Sequence, residues 1–288
     1  MLIIRQRSSS DTTHSFDLRD RGLLLADGVF DTSLMVKGQM IFEEAHIQRL
    51  VRDAHALGIS VSASEIEDFI YPIKANRPSG VLRITITRGP SERGLSVSTS
   101  SIPTMISQLS PLELSKLFQP LTLGTSDILR NSSSPTSKHK TLSYVDNIIA
   151  MGRAREVGFD NAMFINEHAD ICCAATGNLF LAIDGVWRTP PLSDGVLEGT
   201  MRGWLMRNAS QIGIEIVEES ISFSQLSSVD GAIMTNSIKL LSPINQIDDM
   251  ILDRVLANDL IKSAKKHIPA LISDLHPEAF DTKVKNAK

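Results

Sequence analysis

The chain has 288 residues, a formal net charge of −4 and 42% hydrophobic residues, enough for one large or two medium domains with sizeable cores. No long basic run is present to recruit a nucleic acid or an anionic membrane, so a small-molecule partner is the default. The only cysteines, Cys172 and Cys173, are neighbours, and none of the seven histidines has the spacing of a helical metal pair, so a disulfide framework and a metal centre are not expected.

No apolar run reaches membrane-spanning length and residues 1–10 lack a signal-peptide core, so a soluble, cytoplasmic protein is expected. Residues 1–5 read as a short strand. Residues 28–36 and 39–42 read as two strands joined by Lys37-Gly38. From Glu44 onward Ile47, Leu50, Val51, Ala54 and Leu57 recur at helical steps, with Gly58 as the stop. Arg49 lies on the flank of that helix, equally able to face solvent or a ligand. A second helix is expected with Ser64 as N-cap and Glu67 completing a capping box. Residues 80–89 form a β-branched strand, and Arg93-Gly94 lies on the loop beyond. Pro103, Pro111 and Pro120 punctuate residues 100–120, which predicts a crossing between a small domain over 1–117 and a larger one over 118–288.

Leu121-Thr122-Leu123-Gly124 opens the second domain. After a Ser- and Pro-rich loop comes His139-Lys140-Thr141-Leu142-Ser143-Tyr144, running into a helix. With Tyr144 four residues beyond Lys140, both polar ends can turn toward one cavity. A partly desolvated lysine amine loses its proton easily and can form a Schiff base with an aldehyde. A solvent-facing lysine at a helix start explains this stretch alone more readily. Strands are expected over 159–165 and 178–183. Gly199 opens a helix carrying Trp204, Leu205 and Met206; the free N–H groups there suit an anion, although a plain cap glycine would also account for it. The strand over 231–234 ends in Thr235-Asn236-Ser237, a turn or a phosphate contact. Dinucleotide, P-loop and nucleophile-elbow motifs are absent from the sequence.

Taken in order, Asp20-Arg21-Gly22, Asp27-Gly28-Val29-Phe30, His46-Ile47-Gln48-Arg49-Leu50, Thr87-Arg88-Gly89, Lys140-x-x-x-Tyr144, Asn178-Leu179-Phe180, Thr189-Pro190-Pro191, Gly199-Thr200-Met201-Arg202 and Ser237 resemble the class IV (fold-type IV) aminotransferases, which include aminodeoxychorismate lyase. The resemblance implies an α+β fold with a small α/β N-terminal domain and a larger C-terminal domain with a β-barrel-like core. It implies pyridoxal 5′-phosphate as cofactor and a homodimer. Lys140 would bond to the cofactor aldehyde and move the α-proton. Arg49, the N–H groups of Thr200 and Met201 after Gly199, and Ser237 would hold the phosphate, with Met201 where aminotransferases usually carry Thr. Tyr144 would meet the phenolic oxygen, and Phe30, Arg88 and Arg93 would line the substrate side.

One departure concerns the cofactor's ring nitrogen. Counted without gaps from Lys140 to Asn178, Cys173 stands where the family places a glutamate, and a thiol supports a protonated ring nitrogen poorly. Three accounts compete: a weaker but adequate electron sink, Glu167 or Asp170 reaching in, or an attenuated family member. For the substrate, Arg93-Gly94-Leu95 lacks the histidine of the D-amino acid aminotransferase carboxylate trap. Arg88-Gly89…Arg93-Gly94 and Cys172-Cys173-Ala174-Ala175 look more like aminodeoxychorismate lyase, whereas Thr189-Pro190-Pro191-Leu192 and the lysine run are closer to the aminotransferases. The resemblance therefore implies amino-group transfer on a small D- or branched-chain amino acid. The alternatives are a β-elimination of an aminodeoxychorismate-like substrate to 4-aminobenzoate and pyruvate, and a dimeric scaffold with attenuated chemistry.

Overall fold

The structure, a computed structural model, describes residues 2–6, 16–97, 101–269 and 272. The chain divides into two units: Met1–Leu112 with His139–Tyr144, and Glu113–Lys138 with Val145–Lys288. The first contains β1 (Leu2–Gln6), α1 (Arg21–Leu25), β2 (Gly28–Val36), β3 (Gln39–Met40), α2 (Glu43–Ala56), α3 (Ala63–Ala75), β4 (Gly80–Thr87) and β5 (Thr104–Ser110). Its strands form one antiparallel sheet in the order β1-β5-β4-β2-β3. Along β4 the pleat separates Leu82, Ile84 and Ile86, which are buried, from Val81, Arg83 and Thr85, which are half-buried. The buried set packs with Ile47, Leu50 and Ala54 of α2 and Ile66, Phe69, Ile70 and Ile73 of α3. Gly58, at φ +70°, ends the turn after α2.

The second unit contains β6 (Leu121–Thr125), α4 (Pro135–Lys138), α5 (Val145–Glu156), β7 (Asn161–Ile165), β8 (Asp170–Ala174), β9 (Gly177–Ile183), β10 (Val186–Thr189), α6 (Thr200–Ile212), β11 (Ile216–Glu218), β12 (Ile221–Ser222), β13 (Gly231–Asn236), β14 (Leu240–Ile247), β15 (Met250–Ile251) and α7 (Val255–Lys265). Six of its strands close on themselves as a barrel, β9-β13-β14-β6-β7-β8 and back to β9. Leu121, Leu123, Leu179, Leu181, Met234 and Ile244 belong to its main core, while Ala150 and Ala154 of α5 cluster with Ala162, Phe164 and Cys173. The α+β class and the barrel-like core are those expected from the sequence. Among the described residues, no helix is long and apolar enough to cross a membrane, and no cluster of His, Cys, Asp and Glu is arranged to hold a metal ion.

Three local expectations need correction. The capping box of α3 is Ser62 with Glu65, whose side chain and backbone bonds are reciprocal; Ser64 merely meets the Ser62 hydroxyl at 3.1 Å. The pattern Ser-x-x-Glu occurs twice here in overlapping registers, and periodicity alone does not choose between them. Residues 100–120 are not a plain crossing, because Pro103 and Pro111 bracket β5, an interior strand paired on both sides. Proline at a strand's flanks leaves every ladder N–H inside it intact. Finally, Lys140 does not lie on a helix: α5 starts only at Val145, and Thr141 forms an antiparallel bridge with Val29.

Candidate active site

Extended backbone holds Lys140 in the first unit. Phe30 N donates to Lys140 O at 2.9 Å, and Leu142 N donates to Gly28 O at 2.9 Å. From α2, the buried Asp53 accepts the Lys140 N–H at 2.9 Å and lies 2.9 Å from His139 Nδ1. The lysine backbone is thus tied to a strand and to a helix, while its side chain remains directed by other groups. Nζ donates to the Tyr144 hydroxyl at 3.1 Å and lies 4.4 Å from the centroid of the Phe30 ring. Tyr144 meets Phe30 edge to face, with centroids 4.9 Å apart.

Arg83 joins this group although the sequence reading passed over it. Its Cζ lies 3.7 Å from the Phe30 centroid, so two cations share one aromatic ring. Burial lowers the affinity of Arg83 for its proton, partly opposed by Tyr144 and Asp31. Only a 3.3 Å bond from Nε to Thr85 Oγ1 engages the fork among the described residues. A signal for it existed in an arginine on the polar alternation of a β-branched strand. Its neighbourhood depended on Thr32 pairing with Arg83 and Phe30 with Thr85.

Arg49 faces the protein interior. Its Nε and Nη2 donate to Asp31 at 2.9 Å each, and His46 Nδ1 lies 2.7 Å from the same carboxylate. Burial by itself would push the Asp31 carboxyl up, but the charges of Arg49 and His46 outweigh it and hold the group well below the usual range. The arginine fork is therefore fixed in position by a buried carboxylate.

Arg88 and Arg93 have different surroundings. Arg88 donates to both Asp27 oxygens, at 2.8 and 3.1 Å, and to the carbonyls of Leu57 and Gly58 at 2.5 and 2.9 Å, at the end of α2. Its guanidinium is occupied in holding the fold. Arg93 is exposed on a loop that Arg21 anchors by donating to Gly94 O at 2.9 Å. That loop and α1 line a cavity of about 500 Å³, bordered by Arg19, Arg21, Leu24, Leu25, Arg93 and Leu95. Neither arginine belongs to the Lys140–Phe30–Tyr144–Arg83 group.

In the second unit Gly199 is the N-cap of α6 and supplies no side-chain cap. The first intrahelical bond runs from Gly203 N to Gly199 O, so the N–H groups of Thr200, Met201 and Arg202 lack an intrahelical acceptor. The Thr200 hydroxyl is buried without a hydrogen-bond partner among the described residues. A side chain at Gly199 would place Cβ 2.0 Å from Asn178 Oδ1, and that amide is itself fixed by donating to Leu197 O at 2.8 Å. Arg202 steadies the helix by donating to Pro190 O at 2.9 Å and Glu218 at 2.8 Å. Ser237 is half-buried in the turn after β13, where Asn236 Oδ1 accepts from the N–H groups of Ile238 and Lys239.

Cys173 is 8% exposed and pairs across the strands with Phe164 and Asn178. Arg130 Nη2 approaches its Sγ at 3.9 Å. The Glu167 carboxylate accepts from the N–H and hydroxyl of Ser132; those bonds lower its pKa to about 2. Cys172 is fully buried and donates to Asp194 O at 3.2 Å.

The sequence profile of the amino-transferase class IV family matches residues 28–247. Over 243 residues the chain is 28% identical to the aminodeoxychorismate lyase of Bacillus subtilis, covering 80% of this chain and 81% of that one. Over 256 residues it is 23% identical to the D-alanine aminotransferase of Bacillus licheniformis, covering 86% and 89%. In fold it resembles the branched-chain amino acid aminotransferase from Escherichia coli, with a TM-score of 0.81 at 20% identity over 93% of this chain and 95% of that one.

Proposed function

We propose that this chain, which belongs to the class IV aminotransferase family, transfers an amino group from a small amino acid of D- or branched-chain type, using pyridoxal 5′-phosphate. The family depends on that cofactor in general, and the residues present fit it. An uncapped helix start with a buried, unpartnered Thr200 hydroxyl suits a phosphate, and the amine of Lys140 set against two aromatic rings suits an aldehyde. When bound, the cofactor supplies an aldehyde for the amino group and a conjugated ring that spreads the charge left as the α-C–H bond breaks.

The observation that carries this reading is the placement of Lys140 Nζ, 3.1 Å from the Tyr144 hydroxyl and over Phe30. From there Lys140 takes the α-proton and returns it, and Tyr144 holds the amine in position. Arg49, the N–H groups of Thr200 and Met201 after Gly199, and Ser237 would hold the phosphate. Cys173 would stand toward the ring nitrogen, where the family places a glutamate. Phe30 walls the substrate side, and Arg83 offers its fork to a substrate carboxylate in place of Arg88, whose donors are spent on Asp27 and α2. Arg93, outside the Lys140 group of its own copy, would reach the substrate of a second copy from the loop beyond β4.

Two copies form the working unit in this reading. Leu24 and Leu95, which border the same cavity as Arg93, are more than half exposed, apolar surface that a second subunit would cover. Light scattering that gives a monomer at micromolar concentration with full cofactor occupancy would refute this.

Elimination is the second reading, favoured by the relative named aminodeoxychorismate lyase. Both reactions share removal of the α-proton by Lys140. Borohydride reduction of the yellow protein followed by peptide mapping should place the pyridoxyl group on Lys140; finding it on Lys138, or no bound cofactor, overturns the reading. Single-turnover reactions then separate the two: pyridoxamine phosphate from an amino acid marks transfer, and pyruvate with 4-aminobenzoate from aminodeoxychorismate marks elimination.

A further inference from the structure

Arg130, in the loop after β6, is a cation without a carboxylate partner among the described residues. Its guanidinium stacks over Phe164, with Cζ 4.1 Å from the ring centroid. Nη1 and Nη2 make only long approaches to Asn147 Oδ1, at 3.4 and 3.5 Å, and the amide of Asn147 is committed to Ala175 O at 2.7 Å. Nε is buried with no acceptor among the described residues. Among the described residues the fork's other approach is from Nη2 to Cys173 Sγ, a weak acceptor. A carboxylate at position 173 would have neutralised this cation; the thiol leaves it in need of an acceptor.

We propose that Arg130 donates a hydrogen bond from beside Cys173 to the ring nitrogen of the cofactor, and so keeps that nitrogen unprotonated. The inference rests on the reading that Cys173 lies toward the ring nitrogen. An unprotonated pyridine nitrogen is a lone-pair acceptor, and the guanidinium fork beside Cys173 offers only N–H donors and no acceptor. The two groups are complementary, whereas a protonated ring nitrogen would set one cation against another. Cys173 thereby acts by omission: it removes the negative charge that would otherwise pair with Arg130 and draw a proton onto the ring. Arg130 is a positioning residue that holds the ring in its less electron-withdrawing form, which answers the loss of the family's glutamate without invoking Glu167.

The test is nitrogen NMR of the full-length holoenzyme reconstituted with pyridoxal phosphate labelled with ¹⁵N in the ring. The wild-type resonance should fall in the range of an unprotonated, hydrogen-bonded pyridine. Cys173→Glu should move it to the protonated range. Arg130→Met, which keeps the stacking on Phe164 and removes the donors, should move it toward the range of a pyridine without a hydrogen bond. Gel filtration and cofactor stoichiometry verify that each variant is folded and loaded, and Arg130→Leu, which also removes the donors, covers the case in which Arg130→Met does not fold. A protonated wild-type nitrogen, or a resonance unmoved in a loaded Arg130 variant, overturns the inference while leaving Lys140 attached to the cofactor. Failure of attachment at Lys140, seen by peptide mapping, would overturn the parent reading and take this inference with it.

Discussion

Phe30 donates its backbone N–H to the carbonyl of Lys140 at 2.9 Å while its ring lies 4.4 Å from the Nζ of the same lysine. One strand residue therefore sets both the backbone and the amine of Lys140. The loop gains the positional rigidity of a sheet without being a strand of it, and the amine is placed by packing rather than by helix geometry.

Tyr144→Phe keeps the edge-to-face contact with Phe30 and removes the hydroxyl that accepts from Nζ. A hydrogen bond to a charged group contributes roughly 1.5–3 kcal/mol, so kcat should fall by about tenfold or more. The melting temperature should stay within a few degrees. Steady-state kinetics and calorimetry on the same preparation read both quantities.

Asp31→Asn strips a buried carboxylate from Arg49 and His46. Leaving the guanidinium without its counter-charge should cost about 3–5 kcal/mol at pH 7. Because the folded-state pKa of Asp31 lies below the ordinary 3.8, its contribution is complete above that value and is lost as pH falls below it toward the folded-state pKa. Urea titrations from pH 7 to pH 3 should show the gap between wild type and variant narrowing only at the acid end.

Arg83→Met and Arg88→Met should fail in opposite ways. The first removes a fork with one long bond to Thr85, and KM should rise roughly 10–100-fold with the fold intact, the loss expected for a charged hydrogen bond. The second removes four bonds to Asp27, Leu57 and Gly58 and should destabilise by about 3 kcal/mol or more, with KM near wild type in the folded fraction. Thermal melts and substrate titrations together distinguish them.

Gly199→Ala drives a methyl group against the fixed amide of Asn178, so the start of α6 must shift. We expect a loss of about 1–3 kcal/mol and weaker cofactor retention on dialysis. Gly152→Ala is the control: inside α5, exposed and with open space around it, the new methyl should stabilise by about 0.5–1 kcal/mol.

Cys172 is buried against Cys173 and Asp194, and its burial pushes the thiol pKa up. A thiol that keeps its proton in the folded state contributes fully below the ordinary value of 9.0, and the contribution shrinks as pH rises above it. Cys172→Ser should flatten the alkaline fall in stability. Alkylation at pH 8 followed by mass mapping should label Cys173 before Cys172, and saturation with pyridoxal phosphate should slow labelling of Cys173.

Local chemistry was enough to read much of this chain. The period of α2, the β-branched alternation of β4, the glycine before α6 and the lysine stretch with its tyrosine all come from spacing along the sequence, and together they carried the family resemblance and the α+β class. What spacing could not decide was which side chains meet. Arg83 joined Phe30 only through the β2–β4 register, and Arg130 reached Cys173 only because a loop after β6 returns beside β8. Arg88 matched a family motif yet has its donors occupied by Asp27 and two carbonyls. The Lys140–Tyr144 contact was anticipated from helical geometry, and the structure delivers it from an extended segment bridged to β2. Propensity and periodicity are properties of neighbours in sequence, whereas a guanidinium's partner is settled by strand pairing and loop closure between residues tens of positions apart, and only the tertiary structure determines those.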